Sequence, residues 1–584
     1  MGDRYDYIVV GAGSAGAVLA SRLSEDPGTR VLLLEAGPKD TSFWIHLPVG
    51  YGKTMWSKRY NWCFSTDPEP NMNGREIYWP RGKTLGGSSS INGLIYIRGQ
   101  REDFDDWARA GCEGWSFDDV RRHFVDSETN ERGASAWHGA SGPLRVSDIG
   151  ATDPLIEAFI AGAGELGVPR TDDFNGPEQT GAGYYQLTTW KGWRWSTAKA
   201  YLKPARRREN LHVRTEAQAS RVLLEGGRAV GVAWREGGAE RTARARAEVL
   251  LCAGALQSPQ LLQLSGIGPG ALLAEHGIDV VHDAPGVGEN LQDHLQIRLT
   301  YEATIKTTND RLSTLSGKAG LGLQWLLRRS GPLAVGINQG GCFTRAVPSD
   351  DARENARPDI QYHVSTLSAD MAGGQVHPFS GFTLSVCQLR PQSRGRVRIR
   401  SADPAAAPSM VANYLDTELD RRTVVAAVRH ARAVAASRAM SPFVAREVKP
   451  GPEVPDTDEA LLEYCRDVGA TIFHPTGTAR MGPEGDPGAV LDARLRVRGV
   501  GGLRVVDCSA MPTVPSGNTN AAAVMLGEKA AEMIIEDARR GAPDARAEVR
   551  APRAAPGDAP ETEPAPEPAA TARTATAHLA PGRT

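Results

Sequence analysis

The sequence predicts an α/β protein in which a Rossmann-like parallel-sheet domain carries an inserted α+β domain built on an antiparallel sheet. Three observations point there. Residues 5–34 read as strand, glycine-rich turn, helix and strand; roughly residues 150–220 and 295–465 change to period-two alternation; and 584 residues supply more than one core.

Tyr5 to Val10 is a short apolar run of β-favouring residues, Gly11 to Gly16 punctuates it, Ala17 to Leu23 suits a helix, and Val31 to Leu34 reads as a second buried strand. Such a βαβ unit opens a parallel sheet. Within Gly11-Ala12-Gly13-Ser14-Ala15-Gly16 the first glycine permits a tight turn. The second lets a pyrophosphate approach the backbone at a helix N-terminus, and the third allows close helix–strand packing. Glu35, closing the second strand, has the acceptors for ribose hydroxyls. A plain structural turn needs neither the flanking strands nor the acid, so the pattern points to a dinucleotide without separating NAD from FAD.

Further along, Ile360-Gln361-Tyr362-His363-Val364 and Val397-Arg398-Ile399-Arg400 alternate apolar and polar, the pattern of a sheet with one wet face. The expected division gives residues 1–150, 200–295 and 466–540 to the dinucleotide domain and 151–199 and 296–465 to the inserted substrate domain. From residue 541 to 584 the chain is mostly Ala, Pro, Glu and Arg. That composition predicts a disordered tail, because it lacks the large apolar groups that offset backbone ordering.

Charge and cysteine usage narrow the partners. With 67 basic and 69 acidic residues, a net charge of -2 supplies no global basic field for nucleic acid or anionic lipid. Seven cysteines, odd in number and without a Cys-x-x-Cys spacing, argue against a disulfide framework and a metal centre, and fit a reducing, cytoplasmic setting. No run of about 18 apolar residues occurs, so no membrane span is expected.

Pro80-Arg81-Gly82-Lys83-Thr84-Leu85-Gly86-Gly87-Ser88-Ser89-Ser90-Ile91-Asn92-Gly93 pairs glycines with three serines. On its own this is either a polar surface loop or a donor-rich turn suited to a polar ring edge. A second stretch reads Gly254-Ala255-Leu256-Gln257-Ser258-Pro259-Gln260-Leu261-Leu262, then Ser265-Gly266-Ile267-Gly268. A third, Gly286 to His294, and the segment from His474 to about Glu528 follow. In these motifs the chain resembles the glucose–methanol–choline (GMC) oxidoreductases, from the first strand to about residue 540. The resemblance implies an FAD domain and a substrate domain whose antiparallel sheet covers the flavin. It implies cofactor contacts at Gly11, Gly13, Ser14, Gly16, Glu35, Ala36, Arg81, Thr84, Gly86, Gly87, Ser88, Asn92, Gly93, Asp507, Ala510 and Thr519, with Val222 meeting the adenine edge through its backbone. Some relatives attach the flavin through a histidine at the position of Ile91, so here the FAD is expected to be noncovalent.

His474 lies in Phe473-His474-Pro475-Thr476-Gly477-Thr478, where Pro475 disfavours helix and leaves the imidazole on an extended segment. His377-Pro378 lacks the following Gly-Thr and reads as loop; His294 reads as structural. Family position makes His474 the proton acceptor, a task suited to a group with an ordinary pKa of about 6.5. Asn518 or Thr519 reads as the cap of a helix over Ala521 to Arg539. By resemblance Asn518 also contacts the substrate oxygen, and a helix N-terminus aimed at the flavin favours negative charge there.

The expected activity is FAD-dependent oxidation of an uncharged, primary alcohol to an aldehyde or ketone, by hydride transfer to flavin N5 with His474 and Asn518 as the catalytic pair. A dehydrogenase is favoured over an oxidase, with the electron acceptor, a quinone-like carrier or oxygen, left open. Choline dehydrogenase and a non-redox flavin lyase stand as alternatives, with a non-catalytic FAD-binding protein as a third. Against choline, relatives specific for it carry a glutamate ahead of a Gly-Gly-Phe-like turn, where Asn338-Gln339-Gly340-Gly341-Cys342-Phe343 offers neutral Gln339. The decarboxylase-like branch carries a cysteine within the stretch matching Ser88 to Asn92, and none is present here.

Overall fold

The computed structural model describes residues 4–371 and 373–540; the tail expected to be disordered, 541–584, lies outside them. Arg4–Val10 pairs in parallel with Val31–Leu34 on one side and with Ala239–Leu251 on the other. Leu211–Arg214 extends the sheet beyond Val31–Leu34, and Leu503–Val505 runs parallel to the end of Ala239–Leu251. The antiparallel strands Arg228–Glu236 and Ala217–Glu225 complete seven. Every residue of Val31–Leu34 is buried, the outcome for a parallel strand covered on both faces.

The helix Ser14–Leu23 starts before Ala17, with Gly13 at its N-cap and no side chain bonding the first-turn N–H groups. Those donors are left for something else to meet. Helix Asn520–Arg539 packs across it so closely that a Cβ on Gly527 would stand 2.9 Å from Val18 Cβ, and Arg22 pairs with Glu528 at 2.7 Å. This crossing brings two helix N-termini together: Ser14 Oγ donates to Asn520 Oδ1 at 2.8 Å.

The second seven-stranded sheet runs Val444–Lys449, Leu295–Ala303, Gly381–Gln388, Ile360–Ser365, Asn338–Thr344 and Gly181–Tyr184, antiparallel throughout, with Ala470–Thr471 beside Leu295. Here the expected wet face needs correction: Ile360–Ser365 and Gly381–Gln388 are buried along their whole length. The alternation is real but faces inward. Tyr362, Val364, Leu384, Val386, Ile297 and Leu299 join the core that also holds helices Pro154–Glu165 and Glu418–Ala436. The opposite face lines up Gln361, Cys387 and Gln296 in one row and His363, Ser385 and Arg298 in the next. Gln296, Arg298 and His363 of that polar face line an internal cavity rather than meeting bulk water. Only in the small ladder of Arg396–Arg398 with Ser409–Val411 does the alternation separate buried from exposed residues as expected.

Candidate active site

At the C-terminal ends of the parallel strands lies a cavity bordered by Gly11, Gly13, Ser14, Glu35, Ala36, Arg81, Gly87, Ser88, Asp507 and Thr519. The three glycines of the turn differ physically. Gly11 has φ +100°, and a Cβ there would meet Cys252 O at 2.4 Å; a Cβ on Gly16 would meet Gly11 O at 2.0 Å; but the nearest atom to a Cβ on Gly13 is 3.9 Å away. Gly11 makes the turn, Gly16 the close packing, and Gly13 leaves room on the cavity side. Glu35 accepts from Ala12 N–H at 3.0 Å and Gly37 N–H at 2.8 Å, and burial pushes its carboxyl up to about 7. An open glycine, an uncapped helix N-terminus and a fixed acidic acceptor fit the pyrophosphate and ribose of FAD.

The signature loop lies directly on this turn. Gly86 N–H donates to Ala12 O at 2.8 Å, a Cβ on Gly87 would stand 2.7 Å from Gly13 Cα, and Thr84 Oγ1 donates to Pro38 O at 2.8 Å. Asn92 is held by a residue that sequence reasoning missed. Arg194 donates to Asn92 Oδ1 and to its carbonyl, each at 2.7 Å, and also to the carbonyls of Ile45 and Ser89. Burial lowers the Arg194 guanidinium to about 9. The Asp507 carboxylate ties Gly254 N–H, Ser258 Oγ and Ser509 N–H together. Val222 and Ala510 are not among the residues bordering the cavity: Val222 N–H is taken by Ser265 Oγ at 2.9 Å, and Ala510 N–H by Asp507 O at 3.0 Å. Ala217 and Ala219 border it from the Val222 strand instead.

An adjoining cavity shares Ser14, Arg81, Ser88 and Thr519 and adds Ile91, Asn92, Gly93, His474 and Asn518. Its far wall includes Tyr51, Met55, Gln296, Arg298, His363 and Phe473. The segment bearing His474 is fixed at successive residues. Phe473 has φ +73°, its carbonyl accepts from Arg81 Nη1 at 2.8 Å, and its N–H donates to Thr471 Oγ1 at 2.7 Å. His474 N–H donates to Asp293 Oδ1 at 2.7 Å, a carboxyl that also takes the hydroxyls of Thr471 and Tyr414.

Hydrogen-bond logic then fixes the imidazole. Leu389 O accepts only, so His294 Nε2, at 2.9 Å, carries the proton and its Nδ1 is a lone pair. That lone pair lies 3.0 Å from His474 Nδ1, which must donate to it. His474 Nε2 is therefore unprotonated, and it lies 3.3 Å from Asn518 Nδ2. The Asn518 amide is oriented the same way, because Gln361 Nε2 donates to its Oδ1 at 3.2 Å and to Tyr185 OH at 2.9 Å, which donates to Tyr362 O. Burial first, then His294, His363 and Arg81, hold the pKa of His474 well below that of an ordinary imidazole.

Of the two residues read as the helix cap, Asn518 and Thr519, the second takes that position. Thr519 occupies the N-cap position of Asn520–Arg539 without a side-chain bond to the first turn. His294, Asp293, Gln361 and Tyr185 also escaped prediction as site residues. The one signal that could have found Gln361 is a long amide amid Ile360, Tyr362 and Val364, in a strand otherwise fit for a core.

Two family profiles described as GMC oxidoreductase match residues 5–296 and 391–527. The chain is 43% identical to "Alcohol dehydrogenase [acceptor]" of Pseudomonas putida over 545 residues, covering 93% of this chain and 97% of that protein. It is 44% identical to "Oxygen-dependent choline dehydrogenase" of Serratia proteamaculans over 551 residues, covering 93% and 98%. Among solved structures, pyridoxine 4-oxidase from Mesorbium loti superposes with a TM-score of 0.82 at 31% identity, covering 91% of this chain and 99% of that one.

Proposed function

This chain belongs to the GMC oxidoreductase family, and from that premise we propose that it oxidises an uncharged primary alcohol with FAD, His474 and Asn518 forming the catalytic pair. The observation that carries the reading is the unprotonated His474 Nε2 facing Asn518 Nδ2 in a cavity continuous with the dinucleotide cradle.

FAD, when bound, supplies the two-electron acceptor for the carbinol hydride. The rest is work for the chain. Asn518 Nδ2 donates to the substrate oxygen and holds it beside His474 Nε2, which takes the hydroxyl proton. The Nδ1–H bond to His294 keeps Nε2 basic in geometry, and the depressed pKa makes the transferred proton easy to release after turnover. The reading assigns Gly13 and the first turn of Ser14–Leu23 to the pyrophosphate, Glu35 to the ribose, and the loop from Arg81 to Gly93 with Thr519 to the flavin ring. It keeps residues 1–150, 200–295 and 466–540 as the FAD domain and 151–199 and 296–465 as the substrate domain. The strand membership of the two sheets supports this, with Ala470–Thr471 crossing the boundary.

We take the setting to be reducing and cytoplasmic, on the seven unpaired cysteines; the acceptor is a quinone-like carrier or oxygen. Choline dehydrogenase is the second reading, favoured by the Serratia relative. Anaerobic addition of 1-hexanol, benzyl alcohol or choline to the holoenzyme tests the first reading: an alcohol should bleach the flavin, and bleaching by none of them would remove it. An aerobic repeat with and without a soluble dye separates oxygen from a carrier as acceptor.

A further inference from the structure

Large apolar side chains exposed on this protein are not scattered. Of the twelve among the described residues, eight are Phe43, Trp44, Trp56, Met371 and four leucines of the helix Leu315–Arg328, so one region holds most of them. Leu315, Leu323, Leu326 and Leu327 are 86%, 56%, 58% and 72% exposed, while Leu321 and Trp325 turn inward. A helix apolar on its outer as well as its inner side requires a second apolar surface to cover it. Phe43 lies 5.7 Å from Trp325 by ring centroids, which joins this helix to residues 43–56 in one patch.

The charge around the patch identifies what covers it. Although the whole chain is near neutral, residues 43–60 and 311–329 together hold seven Lys or Arg and no Asp or Glu. None of the seven forms an ion pair with a described residue. The nearest acids along the chain are Asp310, engaged by Lys306, and Asp40, which lies beside His46; Asp370, next to Met371, is engaged by Lys449. Lys53 lies over Trp44 at 5.0 Å and Arg329 over Trp325 at 4.1 Å, so the cations sit at the aromatic rim. Exposed leucines ringed by tryptophan and unpaired basic residues suit the boundary of an anionic bilayer. A second copy of the chain would instead face like charge with like charge. The patch also reaches the substrate cavity: Tyr51 and Met55 line it, and Gly52 abuts Gly373 of the segment that carries Met371.

We propose that helix Leu315–Arg328 with the Phe43–Trp56 segment is a peripheral docking surface for an anionic lipid bilayer, seating the substrate cavity at the membrane boundary without crossing it. No helix among the described residues is long and apolar enough to span one.

The test uses the holoenzyme and sedimented vesicles of phosphatidylcholine with or without about a quarter phosphatidylglycerol. Binding to the anionic vesicles should exceed that to the neutral ones and weaken as salt rises. The double variant Leu323→Glu/Leu326→Glu should reduce it by at least about 10-fold, and Lys318→Glu/Arg328→Glu should remove the preference for phosphatidylglycerol. Both should keep wild-type flavin absorbance and turnover of a water-soluble alcohol with a soluble dye, which separates lost docking from lost folding. Equal sedimentation with and without anionic lipid, or binding untouched by either double variant, would overturn the proposal. So would light scattering that reveals a dimer broken by Leu323→Glu/Leu326→Glu with no vesicle binding, since that assigns the face to self-association.

Discussion

His294 Nδ1 lies 3.0 Å from His474 Nδ1, and because His294 Nε2 is committed to Leu389 O, only one proton arrangement satisfies both rings. His294 thereby sets which nitrogen of His474 is basic. Replacing it with phenylalanine keeps a flat aromatic ring but removes the acceptor, so His474 can adopt the other tautomer. His294→Phe should lower kcat by about 10- to 100-fold with KM for the alcohol little changed. His294→Asn, whose carbonyl can accept the Nδ1 proton, should recover part of the loss. Equal loss in both variants would leave His294 with a packing role only.

His474→Ala should retain bound FAD yet slow anaerobic flavin reduction by alcohol by on the order of 10²- to 10⁴-fold, the range for a missing acid–base group. Dithionite should still reduce the flavin. Stopped-flow rates near those of the wild type would remove His474 from the chemistry.

The pH profile follows from the sign of the His474 shift. Its neutral form accepts the proton, and burial first, then His294, His363 and Arg81 as neighbours, lowers its pKa well below 6.5. Protonation, and with it loss of activity, is therefore displaced to more acid pH, and kcat/KM should stay level between about pH 8 and 6. An acid limb centred near 6.5 would show an ordinary, solvated imidazole instead.

Ile91 is buried and lines the cavity that holds His474 and Asn518, at the position where a covalent attachment would need a histidine. Acid denaturation should release all the yellow colour into the supernatant. Colour that stays with the precipitate would reveal another attachment site.

How much of this was legible beforehand depended on whether the signal was local. The turn Gly11 to Gly16 and the run Val31 to Leu34 carry their structure in consecutive residues, so strand, turn and helix were readable; Pro475 and the family pattern singled out His474, which lines the cavity. The pairings were not readable. His294 and His474 are 180 residues apart in sequence, Gln361 and Asn518 157; the pairing of Leu295 with Thr471 brings the first two together, and the second pair joins the strand Ile360–Ser365 to the start of the helix Asn520–Arg539. The same sheet explains the misread wet face. Alternation reports that one side is polar, and whether that side meets solvent or an internal cavity is set by what packs over it. The cap was read as Asn518 or Thr519 because the local sequence suits either; Thr519 takes the N-cap position, and a partner on a distant strand holds the Asn518 amide.

Choline should be a poorer substrate than 1-hexanol or benzyl alcohol. The stretch expected to hold the cation's partner offers neutral amides only, and it is Asn338 rather than Gln339 that lines the cavity. Tyr51 and Phe473 give two aromatic faces for a quaternary ammonium, each contributing about 2 kcal/mol when desolvated. Against them stands Arg298, whose guanidinium has no carboxylate partner among the described residues and donates only to the Asp370 carbonyl at 3.3 Å. Burial lowers its pKa, yet from an ordinary value high enough that it stays charged. Two cations about 6 Å apart at an effective dielectric of 20 repel by roughly 3 kcal/mol, which offsets most of what the two aromatic faces return. No Asp or Glu lines this cavity to reverse the balance. Steady-state comparison should therefore give a kcat/KM for choline at least about 10-fold below that for either neutral alcohol, and Arg298→Gln should narrow the gap. A higher kcat/KM for choline than for both would instead support the choline dehydrogenase reading, with the cation held by a face of the cavity other than the one Arg298 commands.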